Sequence, residues 1–310
     1  METYFIRHTY KIWIDKATRE NLWKKSLIAL HFPRHGSDPN NEDLPDNESI
    51  DPLKYPGHPH SARENMKRLV QLGNEGGYVC AVYSNGYSQK CLVGKVEKGT
   101  QVQIETGKWW NMDEDKYMEK EAKLKVFPLQ RVTEIQPKFQ PAILAGVPRM
   151  GTILHWKQIK NRIKEIVNEG KLSKICENLF PSQLETLCAE YLRFNHSIDT
   201  IKLPILSSLL LPVGRTLKTV DIYGFSTDNK HIFAQVTNYD TNGEDDKFKF
   251  FDDYTGSDVH KLYFCSHDKI EVKNNVILIP IKDVFSFFES NHKELINALF
   301  PTFGPDDCES

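Results

Sequence analysis

The sequence predicts a mixed α/β (α+β) protein of two domains: a small mixed β-barrel over residues 1–145 and an α/β domain over residues 150–310. Three observations predict it. A chain of 310 residues suits two cores at about 150 residues each. The front half is rich in short aromatic and β-branched runs, whereas from Trp156 apolar residues recur at helical spacing. Between them, residues 138–155 (KFQPAILAGVPRMGTILH) are punctuated by Pro141, Gly146, Pro148 and Gly151, the composition of a connection.

In chain order, residues 4–14 (YFIRHTYKIWI) and 26–32 (SLIALHF) predict strands. From Pro33 to about His60 the chain is polar, with Pro33, Pro39, Pro45, Pro52, Pro56 and Pro59 among Asn and Asp. This stretch predicts neither helix nor strand nor any share of the core, so it reads as a lid or an insert. Ser61 and Glu64 form a capping-box pattern ahead of Met66, Leu69, Val70 and Leu72, and Gly73, Gly76 and Gly77 end that helix. Strands follow at 78–84 and 90–96 around Asn85-Gly86, then at 100–105 and 123–130. Past the boundary, Ile159, Ile163, Ile166 and Val167 share a helical face that Gly170 closes. A second helix starts with Pro181 in its first turn and buries Leu184, Leu187, Cys188, Tyr191 and Leu192. Strands at 218–224, 231–238, 261–265 and 276–280 precede a helix over about 282–299, with Val284, Phe287, Phe288, Leu295, Ile296 and Leu299 inward.

Lys and Arg number 40 and Asp and Glu 42, a net charge of −2. That excludes a polybasic, histone-like binder. Residues 1–150 carry 22 basic and 19 acidic side chains, and the remainder 18 and 23. Any contact with nucleic acid is therefore expected to be local, in a groove or pocket. The six cysteines form no CxxC pair and read as reduced thiols of a cytoplasmic protein. The start METYFIRHTYKIW has no apolar core of a signal peptide, and no run reaches the ~18 apolar residues of a membrane span. GxSxG, Walker A and Rossmann glycine patterns are absent. His58-x-His60, with His31 and His35, lacks cysteine partners at zinc spacing and reads as solvated histidines.

The chemistry concentrates in residues 211–238 (LPVGRTLKTVDIYGFSTDNKHIFAQVTN). Two strands flank the turn signal Ser226-Thr227-Asp228-Asn229. In the second, Ile232, Ala234 and Val236 form one face and Phe233, Gln235 and Thr237 the other. A hairpin centred on Asp228 sets Asp221 opposite Gln235, with Cβ atoms about 4.5–5.5 Å apart. A carboxylate and an amide oxygen so placed can share one hard cation, and Mg²⁺ is content with one or two carboxylates. A different turn centre would send the two side chains to opposite faces.

The helix PSQLETLCAEYL, then VGRTLKTVDIYG, then HIFAQVT resembles the Mrr-like branch of the PD-(D/E)xK restriction-endonuclease fold, over roughly residues 156–300. The resemblance implies a restriction-type endonuclease that hydrolyses phosphodiester bonds of DNA with Mg²⁺. It maps the helix glutamate onto Glu185, the metal-binding aspartate onto Asp221, and the (D/E/Q)xK strand onto Gln235-x-Thr237. Gly214 and Arg215 match the approach to the aspartate strand. Asp221 and Gln235 would hold the metal, and Glu185 would orient the attacking water. Thr237 stands where the family has lysine, so that charge must come from elsewhere, with Lys218 and Lys230 nearest on the hairpin. Otherwise the site is degenerate, and the protein is a non-catalytic nucleic-acid-binding or sensor protein. The residues also allow plainer readings. Asp221 can be a solvated edge residue, and Glu185 the closing member of a capping box opened by Ser182. Gln235 and Thr237 can face outward, and GEDDKFKFFDD at 243–253 reads as an exposed loop. Nucleases of this fold often dimerise, which implies a possible homodimer.

In the front domain Trp13, Trp23, Phe32, Tyr83 and Trp109 could form an aromatic cage for an extruded base. Packing into the core is the competing reading. Trp109 and Trp110 are adjacent, so only one can face inward from a strand. The order of strands, with GYVCAVYSNG before CLVGKVEKGT, is similar to EVE/PUA-like barrels, which implies recognition of a modified or flipped base. Together these readings suggest a modification-dependent DNA endonuclease of restriction or phage-defence type, with DNA, modified or unmodified, as partner.

Overall fold

A computed structural model describes residues 1–9, 12–32, 43–55, 62–85, 88–111, 116–148, 151–194, 197–198, 201–210, 220–237 and 249–303. The chain divides into two compact units, the first comprising Met1–Ser173 with residues 301–303 and the second Lys174–Phe300. Among the described residues no helix is long and apolar enough to cross a membrane.

In chain order the first unit contains β1 (Glu2–His8), α1 (Lys16–Lys24), β2 (Leu27–Leu30), α2 (Asp46–Ser49), α3 (Ala62–Glu75), β3 (Gly77–Asn85), β4 (Ser88–Val96), β5 (Gln103–Asn111), β6 (Lys116–Pro128), β7 (Gln130–Ile135), α4 (Gln140–Leu144), β8 (Ile153–His155) and α5 (Lys160–Glu169). Instead of a closed barrel, the described strands form two open sheets, β7-β4-β3-β1-β8 and β2-β6-β5. β1 runs parallel to β3 and antiparallel to β8, so it is an inner strand. Its Tyr4, Phe5 and Ile6 are buried on both faces accordingly.

The strand expected over 4–14 stops at His8. Trp13 has a φ of 57°, a left-handed conformation that no strand can continue through. Asp15 then caps α1 by accepting a hydrogen bond from the Thr18 amide at 2.8 Å. The helix KATRENLWK was hidden between two aromatic runs. The hairpin β5–β6 is far longer than the strands expected at 100–105 and 123–130, pairing Gln103 with Val126 and Asn111 with Lys116.

The polar stretch also differs from expectation. Within its described part, Leu44 and Tyr55 enter the core, and the Tyr55 hydroxyl donates to the Ser49 carbonyl at 2.8 Å. His31 is fully buried rather than solvated. Its Nε2 pairs with Asp43 Oδ1 at 3.0 Å, and its Nδ1 lies 2.9 Å from the Ile12 carbonyl. His35, His58 and His60 lie outside the described residues. The five described cysteines are free thiols.

Helix α5 keeps its predicted apolar face and its Gly170 terminus, where φ is 67° and the amide bonds to the Ile166 carbonyl at 3.0 Å. It packs on β3, β4 and β7, however, so it belongs to the first unit. The division therefore falls after α5, at Ser173, and not within 145–150.

The second unit contains α6 (Pro181–Tyr191), β9 (Ser197–Ile198), β10 (Ile201–Lys202), β11 (Leu206–Leu209), β12 (Ile222–Ser226), β13 (His231–Val236), β14 (Val259–Cys265), β15 (Glu271–Lys273), β16 (Val276–Pro280), α7 (Ile281–Asn291) and α8 (Lys293–Leu299). β9 and β10 form a two-stranded ribbon, and the main sheet has the order β11-β12-β13-β14-β16-β15. β13, β14 and β16 are mutually parallel and the outer pairings antiparallel. Parallel strands must be covered on both faces. α6 packs on β13 and α7 on β16. Phe251, from a 3₁₀ turn at Phe250–Asp253, packs with Tyr263, Cys265, Val276, Leu278 and Phe233. The segment 243–253 is thus not wholly an exposed loop. The helix expected over 282–299 breaks at His292, where φ is −141° and ψ 58°. Its ring packs on Phe194, Phe287 and Phe288, with centroids 4.6–5.7 Å apart.

Gly224 on β12 faces a β-bulge between Leu206 and Ser208. A Cβ there would lie 2.3 Å from the Ser208 carbonyl oxygen and 2.6 Å from Leu206 Cδ1. The obstacle is backbone, which cannot rotate away. Gly224→Ala is expected to destabilise the second unit by about 1–3 kcal/mol, the usual range for overpacking. Urea unfolding of the variant beside the parent measures this as a lower midpoint at unchanged slope.

Candidate functional site

The hairpin β12–β13 is held by its turn. Ser226 Oγ accepts from the Lys230 amide at 3.0 Å and donates to Asp228 Oδ1 at 2.5 Å. That hydroxyl, with His260, holds the Asp228 carboxyl down at about 2. Asn229 adopts φ 60°, which asparagine tolerates. The resulting register pairs Ile222 with Ala234, Tyr223 with Phe233, Gly224 with Ile232 and Phe225 with His231, centred on Asp228.

Asp221 therefore falls across from Gln235, and its amide donates to the Ala234 carbonyl at 3.0 Å. The side chains meet. Asp221 Oδ2 accepts from Gln235 Nε2 and, at 2.8 Å, from the Val236 amide. Asp221 is thus no solvated edge residue, and Gln235 does not face outward, being 2% exposed. Gln235 Oε1 is buried with no hydrogen-bond partner among the described residues. Thr237 continues the same face and donates its amide to the Phe264 carbonyl at 2.9 Å.

Glu185 sits in α6, 9% exposed. Gln183 takes the capping-box role that the sequence offered to Glu185, its Oε1 accepting from the Phe180 amide at 3.0 Å. Cys188, one turn further and fully buried, reports what surrounds it. Burial pushes its thiol well up, and the charges of Cys176, Glu185 and Asp221 push the same way.

The lysine candidates fare differently. Lys230 lies at the hairpin tip, 3.5 Å from Asp228 Oδ2. Five residues of strand separate it from Gln235, about 16 Å, beyond its reach. Lys218 lies outside the described residues, as do Gly214 and Arg215. Sequence reading missed Lys261. It lies on β14 in register with Phe233, one strand over and two residues before the partner of Gln235. It faces the same side and is 9% exposed. A lysine alternating with Tyr263 and Cys265 in an apolar strand was the available signal.

A hard cation fits this donor set. Asp221 offers a carboxylate oxygen, and the buried Gln235 Oε1 is a carbonyl oxygen in need of a partner. Among the described residues no three His, Cys, Asp or Glu converge. Beyond Asp221 the same strand face carries a row of half-buried rings. Tyr223 stacks on Phe233 at 4.8 Å, His231 packs on Phe225 at 4.6 Å and Tyr254 on Phe233 at 4.2 Å.

In the first unit the five proposed cage aromatics have separate surroundings. Trp109, 4% exposed, packs edge-on to His31 at 4.7 Å, while Trp110 is the more exposed neighbour. Phe32 packs on Tyr55 at 6.4 Å, and Trp13 leans on the core. Trp23 and Tyr83 line a common cavity of about 280 Å³, with Lys16, Arg19, Glu20, Lys24 and Lys90. No family model, curated protein or solved structure matches this chain.

Proposed function

We propose that the chain is a Mg²⁺-dependent endonuclease acting on DNA. The second unit would hydrolyse phosphodiester bonds as a restriction-endonuclease-like domain. The first, of EVE/PUA-like character, would recognise a modified or flipped base, as in modification-dependent restriction or phage defence. The meeting of Asp221 with Gln235, whose Oε1 has no partner among the described residues, carries this reading.

Asp221 and Gln235 would hold the Mg²⁺, which when bound supplies positive charge to the scissile phosphate. The Val236 amide fixes the orientation of the Asp221 carboxylate. Glu185, buried on α6, would orient the attacking water and take its proton. Thr237 offers a hydroxyl donor but no charge. Lys261 stands on the site's face and offsets charge on the phosphate. The ring row on β12 and β13 gives unpaired bases a surface to stack on. A homodimer would cut both strands.

One observation favours a second reading, a DNA-binding protein without catalysis. The lysine of the family's motif is Thr237, and Lys230 is tied to Asp228 at the far end of the hairpin.

Incubation with plasmids from modifying and non-modifying hosts, in Mg²⁺ or Mn²⁺, separates the two. Cleavage is expected, reduced about 10²–10³-fold in Lys261→Met, as for removal of one charge-stabilising donor, and unchanged in Lys230→Met. Intact DNA in every reaction, with DNA binding retained, establishes the second reading.

A further inference from the structure

We propose that the cavity between α1 and the β3–β4 hairpin binds a single phosphate group, as carried by one nucleotide. One face of α1 builds one wall. Lys16, Arg19, Glu20, Trp23 and Lys24 recur at spacings of three and four. Tyr83 and Lys90, direct register partners on β3 and β4, build the other.

The charge is lopsided. Among the described residues that line it are four cations and one carboxylate, Glu20, which lies 4.0 Å from Lys16 in an exposed pair. The excess of three positive charges equals that of the entire first 150 residues. Like charges crowded round one cavity repel each other, and an anion relieves the repulsion.

The walls are stiff. Tyr83 is 2% exposed, its hydroxyl donates to the Leu27 carbonyl at 2.7 Å, and its ring stacks on His8 at 4.3 Å. Arg19 is buried and donates through Nη1 to the Ile14 carbonyl at 2.5 Å. The Lys90 ammonium sits 3.2 Å from the centre of the Trp23 ring, held there by a cation–π contact. That contact occupies the ring face, so Trp23 positions a cation rather than stacking a base. The volume, about 280 Å³, is at the lower limit of small-molecule pockets and admits one nucleotide but no duplex.

The proposal does not depend on the second unit cutting DNA, and its test is run in EDTA. The full chain is titrated calorimetrically at low salt with inorganic phosphate, with a 5′-mononucleotide, and with a short single strand lacking terminal phosphates. Saturable binding of phosphate is expected, weakened at least tenfold by Lys90→Gln and by Lys16→Gln/Lys24→Gln, and unchanged by Lys98→Gln outside the cavity. Tighter binding of the mononucleotide identifies a free nucleotide as the source. Competition by the single strand through the same lysines identifies a backbone phosphate. No saturable binding of any probe, or equal weakening by Lys98→Gln, overturns the proposal.

Discussion

Replacing Asp221 by Asn is expected to abolish metal-dependent cleavage, lowering its rate at least about 10³-fold, roughly 4 kcal/mol of barrier. The substitution is nearly isosteric. Asn keeps an oxygen that can accept from the Val236 amide, as Asp221 does at 2.8 Å. It removes the charge, and a hard cation is held chiefly by charge. Manganese binding, followed by paramagnetic resonance, should weaken in parallel, with the unfolding midpoint of the second unit nearly unchanged. Gln235→Leu should behave differently. It removes a neutral oxygen donor, so metal affinity falls less than in Asp221→Asn. Retained manganese binding in Asp221→Asn would rule out this pair as the metal site.

The pair was legible in the sequence because a two-stranded register depends on one quantity, the turn centre. Ser226-Thr227-Asp228-Asn229 supplied it, and the register follows it through four successive pairs. Nearness in sequence misleads in the same hairpin. Lys230 is five residues from Gln235, and in a strand that is distance, not contact. Lys261 is twenty-six residues away and one strand over, a nearness that only the crossover connection creates.

The aromatic residues were legible as a class but not as a site. A ring's direction depends on what the tertiary structure packs against it. Trp109 turns to His31, which the polar stretch buries through Asp43, and neither partner is marked as such in sequence. The helix α1 carried its own signal, Asp15 before KATRENLWK, but neighbouring strand-formers outweighed it. That omission mattered, because the cationic stripe of α1 appears only once those residues are helical. The domain boundary moved for a similar reason. Composition marks where the chain bends, whereas α5 belongs where its apolar face is buried.

The first unit is expected to lose stability steadily as pH falls below about 6.5, chiefly through His8. This histidine is fully buried. Its Nε2 accepts from the Ala29 amide at 2.9 Å, so the proton of the neutral ring sits on Nδ1, 3.3 Å from the Val82 carbonyl. Burial pushes its pKa down to about 3, and the charge of Arg19 adds to that against the Val82 carbonyl that faces Nδ1. In the unfolded chain the ring titrates near 6.5. Between those two values the unfolded state takes up a proton that the folded state refuses. Stability is therefore full above 6.5 and is lost as pH falls toward 3, by up to about 1.4 kcal/mol per unit. Two units of acid cost about 2.7 kcal/mol from this ring, a large share of an ordinary domain's 5–15 kcal/mol. Carboxylates titrate over part of the same range, so the difference from His8→Gln isolates the effect. Glutamine can accept from the Ala29 amide but cannot charge, and it forfeits the stack on Tyr83. The variant should be less stable at pH 7.5 and flatter with pH. Denaturant midpoints at pH 7.5, 6 and 4.5 should therefore converge for the two proteins. Parallel profiles would mean that the ring accepts a proton in the folded state, which would require the Ala29 amide to find another acceptor.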